Sequence, residues 1–101
     1  MNEVYEKALN HFGYEAQLNK AIEELAECIV ELSKCHYQLV TTGKFNLTDL
    51  CSEIADVEIM IEQIKMMSVE HDEIVCNVGD FVDLARTYKL KRLDERLCND
   101  V

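Results

Sequence analysis

The sequence contains no proline and no tryptophan, and only three glycines in 101 residues. Little in such a chain interrupts a helix, and Leu, Ile, Glu and Lys, all good helix formers, are abundant. Cationic side chains are scarce: 10 Lys and Arg stand against 20 Asp and Glu, a formal net charge of −10. That balance disfavours binding to polymeric nucleic acid or to an anionic membrane, because both are polyanions. A nucleotide ligand stays open, provided metal ions neutralise the site. No apolar run is long enough to span a bilayer, and nothing at the N-terminus reads as a signal peptide. Cys28, Cys35, Cys51, Cys76 and Cys98 are odd in number and form no C-x-x-C pair. Small buried thiols in a reducing cytoplasm are expected, rather than disulfides or a zinc site.

What is present fits one domain covering residues 1–101, of which 49% are hydrophobic. Residues 2–12 read as a short first helix, broken at Gly13. The next periodic stretch runs from residue 14 to about residue 40. Along it Leu18, Ile22, Leu25, Ile29, Leu32 and Leu39 follow alternating steps of four and three, with His36 in the remaining place. This is the pattern of a packing seam, and it makes His36 a hydrogen-bonded core histidine. Ala21, Cys28 and Cys35 form a second row, which points to a helix covered on two sides, by its own chain and by a second subunit.

Gly43 is the expected stop of that helix, and Asn46 or Thr48 can cap the next. The third helix is expected to reach about residue 67, with its seam at Leu50, Ile54, Val57, Ile61 and Ile64, and Met60, Met66 and Met67 read as packing residues. The short connection makes the two helices antiparallel. Residues 68–72 form a polar break. A last helix follows to about residue 97, with Ile74, Val78, Phe81, Ala85 and Tyr88 at helical spacing. The expected architecture is all-α, a small antiparallel bundle of about four helices.

Two acidic runs stand inside the two central helices. They are Glu23-Glu24-Leu25-Ala26-Glu27 and Glu53-Ile54-Ala55-Asp56. Residues three apart share a helix face, so Glu24 lies beside Glu27 and Glu53 beside Asp56. No Lys or Arg occurs from residue 21 to 33 or from 45 to 64. Carboxylates clustered without cations repel one another, and a bound cation relieves this. Hard oxygen ligands suit Mg²⁺ or Mn²⁺. The competing reading is a solvated acidic face. Such faces usually alternate sign, whereas Glu23/Glu27 and Glu27/Glu31 are like pairs four apart. A di-iron carboxylate bundle would need Glu-x-x-His. The residues three before His11, His36 and His71 are Ala8, Ser33 and Ser68, so that pattern is missing.

The order of these motifs resembles the MazG-like branch of the all-α nucleoside triphosphate pyrophosphohydrolases. The E-E-x-x-E run at Glu23–Glu27 and the E-x-x-D run at Glu53–Asp56 carry the resemblance. Phe12-Gly13, Gln17 and the closing residues 89–97 also look like small MazG-like proteins, many of them phage-encoded. The resemblance implies a homodimer or a dimer of dimers, with Mg²⁺ (or Mn²⁺) held by Glu24, Glu27, Glu53 and Asp56. It implies hydrolysis of an NTP or dNTP between the α- and β-phosphates, giving NMP and pyrophosphate. Glu24 is the candidate for orienting or deprotonating the attacking water, and Glu23 the second. The rival from another class is a non-catalytic helical interaction or regulatory module on the same fold.

Five of the ten basic residues fall between Arg86 and Arg96. Lys89, Arg92 and Arg96 share a face, and the expectation is that they meet the β- and γ-phosphates. The alternative is a salt-bridged surface with Asp83, Asp94 and Glu95. Phe12, Tyr14 and Gln17 stand upstream of the first acidic run as candidates for base recognition.

Overall fold

The structure is a computed structural model that describes residues 2–100. Its element order is α1 (Asn2–Phe12), α2 (Tyr14–Thr42), α3 (Leu47–Lys65), β1 (Ser68–His71), β2 (Ile74–Asn77) and α4 (Val78–Asn99). The described residues are thus mostly helical, but a two-stranded sheet joins the expected helices. The chain divides into two compact units, Met1–Ile64 and Lys65–Val101.

The first unit holds α1, α2 and most of α3. Gly43 ends α2 at φ 76°, in the left-handed region, and donates its N–H to Leu39 O at 2.9 Å. A residue with a Cβ would be strained there. Asn46 caps α3: its Oδ1 accepts from Asp49 N at 3.1 Å. Helices α2 and α3 run antiparallel. Gln17 near the start of α2 bonds Gln63 near the end of α3, while Glu24 and Glu27 further along α2 meet Glu53 earlier on α3. Leu9 of α1 is buried.

Of the two rows expected to be covered on α2, the chain itself buries the smaller one. Gln17, Ala21, Glu24, Cys28 and Cys35 are buried, whereas Leu18, Ile22, Leu25, Ile29, Leu32 and Leu39 are 41% to 65% exposed. His36 is exposed too, so it is no core histidine. The second, smaller row is the intramolecular one: Ala21, Cys28 and Cys35 lie on the side of α2 that turns Gln17 and Glu24 toward α3. On α3 the buried positions are Met60 and Gln63, and the expected seam of Leu50, Ile54, Val57, Ile61 and Ile64 is only partly covered. The cysteines divide likewise: Cys28 and Cys35 are buried, Cys51 and Cys98 exposed, and all five are free thiols.

In the second unit the expected last helix begins later. Ile74–Asn77 is a strand, paired antiparallel with Ser68–His71 in the register Val69↔Cys76 and His71↔Ile74. Asp72 and Glu73 make the two-residue turn, with φ 52° and 66°. Two consecutive positive φ angles are the signature of the hairpin turn whose twist matches the strands. Val75 and Val69 favour strand conformation. Ile74 and Val78 therefore share helical spacing without sharing a helix. Asn77 then caps α4 by accepting from Asp80 N at 3.2 Å. At Gly79 a Cβ would lie 2.8 Å from Lys65 O, so the lack of a side chain permits this close approach of backbones. Beyond Asp80, α4 is exposed along nearly its whole length.

Candidate metal centre

Glu24 and Glu27 lie one turn apart on α2, and α3 brings Glu53 to them. One carboxylate oxygen from each of the three lies within 4.8 Å of the others. The environments are graded. Glu24 is only 8% exposed, Glu53 is half-buried and Glu27 is exposed. Oε2 of Glu24 and Oε2 of Glu53 are buried with no hydrogen-bond partner. A buried carboxylate oxygen without a donor is costly, since burial removes water without replacing it.

Electrostatics agree with the geometry. The Glu53 carboxyl titrates above its usual range, first because burial disfavours its charge, then because of the charges of Glu27, Asp56, Glu24 and Glu31. Lys20 is the local counter-charge. Its Nζ lies 3.2 Å from Glu24 Oε1 and 3.5 Å from Glu23 Oε2. The ammonium consequently holds its proton more tightly than usual, chiefly through the hydrogen bond to Glu24. Glu24 Oε2 and Glu53 Oε2 remain buried without a hydrogen-bond partner even so.

The remaining expected ligands are placed differently. Asp56 lies one turn beyond Glu53 and outside the group of three, although its charge still acts on Glu53. The side chain of Glu23 is 66% exposed and turned to Lys20. Phe12 and Gln17 both line a cavity of about 650 Å³ in the first unit, together with Lys20 and Gln63. Tyr14 is exposed and does not line it. Lys89, Arg92 and Arg96 surround a shallow depression of about 260 Å³ on α4 with Leu93. Arg92 also stands 5.8 Å from the centre of the Tyr88 ring, and Asp83 pairs with Arg86 at 3.3 Å.

Two participants carried little sequence signal. Gln63 is buried, and it accepts a 2.6 Å hydrogen bond from Gln17 Nε2, 46 residues away. Only the antiparallel register reveals that partnership. Lys20 precedes the acidic run by one turn of helix, and that spacing was the available signal for its contact with Glu24.

An oxygen-only donor set with two unpartnered buried atoms fits a hard divalent cation. No protein-family model, curated protein or solved structure matches the chain. No helix among the described residues is long and apolar enough to cross a membrane.

Proposed function

We propose that this protein is a Mg²⁺-dependent nucleoside triphosphate pyrophosphohydrolase of MazG-like type. The observation that carries the reading is the Glu24–Glu27–Glu53 cluster with its two unpartnered buried oxygens. The resemblance of the two acidic motifs to that family supports it. Glu24, Glu27 and Glu53 hold the cation, and Asp56 strengthens the local negative field or joins them as a ligand. Carboxylates repel a triphosphate, so the cluster suits this substrate only through the cation. Once bound, the cation supplies charge neutralisation and activation of water.

The residues then divide the work. Glu24 is the candidate to orient the attacking water and take its proton, with Glu23 the second candidate. Water attacks the α-phosphorus, the bond to the bridging α–β oxygen breaks, and pyrophosphate leaves. On the second unit, Lys89, Arg92 and Arg96 form a cationic face of their own that suits an anionic group such as a phosphate. A panel of NTPs and dNTPs assayed for pyrophosphate with Mg²⁺ tests the reading. Release from at least one nucleotide is expected, and no release from any of them refutes it.

The exposed row on α2 belongs to the same proposal. Leu18, Ile22, Leu25, Ile29, Leu32 and Leu39 form a row of large apolar side chains, each 41% to 65% exposed, along one face of α2, and exposed apolar rows of this kind mark association surfaces. The positions flanking it on the open side, Asn19, Ala26, Ser33 and Val40, are uncharged in a chain of net charge −10. A second copy packs against such a strip without like-charge repulsion, which supports a homodimer, alone or paired into a dimer of dimers. The same strip is the observation that favours the rival, a non-catalytic helical interaction module. Failure to bind Mg²⁺ or Mn²⁺ in the millimolar range would decide for that module.

A further inference from the structure

The cavity beside the carboxylates and Lys20 are linked. The cavity of about 650 Å³ has the size of a small-molecule site, and its lining includes Tyr5, Phe12, Gln17, Lys20, Met60 and Gln63. Its walls are mainly apolar, but two buried amides are joined there: Gln17 Nε2 donates to Gln63 Oε1 at 2.6 Å. Gln63 Nε2 in turn lies 3.4 Å from Ile59 O and 3.7 Å from Met60 Sδ. Aromatic surface with a few convergent amide groups suits a flat heterocycle that offers hydrogen-bonding atoms along one edge. Lys20 lines this cavity and also touches Glu24 Oε1 at 3.2 Å.

We propose that Lys20 is a tethered counter-cation, which occupies Glu24 in the metal-free protein and turns to the anionic group of a ligand seated in this cavity when a divalent ion takes the carboxylates. The ligand class is a heteroaromatic ring carrying phosphates, and the inference rests on the function proposed above. Each charge keeps an opposite partner: Glu24 exchanges an ammonium for a divalent ion, and the ammonium exchanges a carboxylate for a phosphate. The lysine stem is long and half-exposed, so the exchange requires side-chain rotation alone.

Two variants test this, Lys20→Met and Ala16→Trp, each checked for unchanged circular dichroism. Ala16 lines the cavity and is exposed, so the larger ring fills space without removing a core contact. Mn²⁺ affinity is measured by calorimetry without nucleotide, and KM and kcat by pyrophosphate release. Lys20→Met is expected to bind Mn²⁺ up to about fivefold more tightly, because a competing cation is gone. Its KM is expected to rise about tenfold, as befits the loss of a charged hydrogen bond to phosphate. A lysine that merely braced Glu24 would give unchanged or weaker Mn²⁺ binding in Lys20→Met, and that result overturns the proposal. Ala16→Trp is expected to raise KM and leave Mn²⁺ affinity alone, and an unchanged KM removes the cavity from the account. If the wild type binds Mn²⁺ but releases no pyrophosphate, the proposed reaction fails. The Lys20 inference is then decided by Mn²⁺ affinity and by calorimetric binding of the unhydrolysed nucleotide.

Discussion

The two faces of α2 reverse the usual order. Its intramolecular face buries Gln17 and Glu24 with the small residues Ala21, Cys28 and Cys35. Its open face carries Leu18, Ile22, Leu25, Ile29, Leu32 and Leu39, none of them buried. A helix built only for monomer stability would bury the large aliphatic row and leave the carboxylates in water. The contrast teaches that the two faces have different tasks. On the proposed function, the face toward α3 serves polar chemistry at a cost in stability, and the aliphatic face serves association.

The strongest way to break this comparison is to charge the open face. Leu25→Glu with Ile29→Glu is expected to turn a dimer into a monomer in sedimentation analysis. Removing two such side chains from an interface forfeits ~3–6 kcal/mol, or at least ~100-fold in association. If the row were merely solvent-exposed surface, the double variant would change neither mass nor stability beyond about 0.5 kcal/mol.

The polar face is broken by neutralising its carboxylates. Glu53→Gln is expected to lower pyrophosphate release at least ~100-fold, since altering even the groups that support a metal ligand commonly costs 10- to 100-fold. Asp56→Asn is expected to act in the same direction while leaving the fold intact. The same Glu53→Gln change removes a repulsive charge, so the metal-free variant is expected to melt higher than wild type. Turnover like that of the wild type in either variant would remove that residue from the site.

Acidity sharpens the comparison further. Because the folded-state pKa of Glu53 is raised above the ordinary 4.5, the folded chain holds that proton more tightly than the unfolded chain does. Its contribution to stability is therefore favourable in acid and is lost as pH rises through the folded pKa. Thermal melts in chelator are expected to show this loss as pH rises above the ordinary 4.5 for wild type, and to show less of it for Glu53→Gln. Added Mg²⁺ should raise the melting temperature at neutral pH and lose that effect in acid, as protons displace it.

The smallest expected effect lies outside α2, in the hairpin. Glu73 sits at φ 66°, where a side chain is disfavoured. Glu73→Gly is expected to stabilise the hairpin by about 1 kcal/mol, read by denaturant titration or amide exchange.

Much of the fold was legible in the residues. Gly13, Gly43 and Asn46 marked the helix boundaries, and the short loop made α2 and α3 antiparallel. The association of Glu24 and Glu27 with Glu53 was also legible, because spacing of three on each helix fixes a face and the hairpin fixes the level. Which of the two rows on α2 turns inward was not. Both rows have helical period, so periodicity alone leaves open which of them packs within the chain. The β-hairpin was missed because Ile74 and Val78 fit a helical step, and Asp72-Glu73 lacks the glycine that usually announces such a turn. The Gln17–Gln63 pair depends on long-range register, which no local pattern encodes.

The central claim is that Glu24, Glu27 and Glu53 form a divalent-cation site. Calorimetric titration of Mn²⁺ into wild type and Glu53→Gln tests it most directly. The account predicts saturable binding at millimolar concentration or below in the wild type, weakened at least ~10-fold in the variant. Absence of binding to the wild type, or equal affinity in the two proteins, would contradict it.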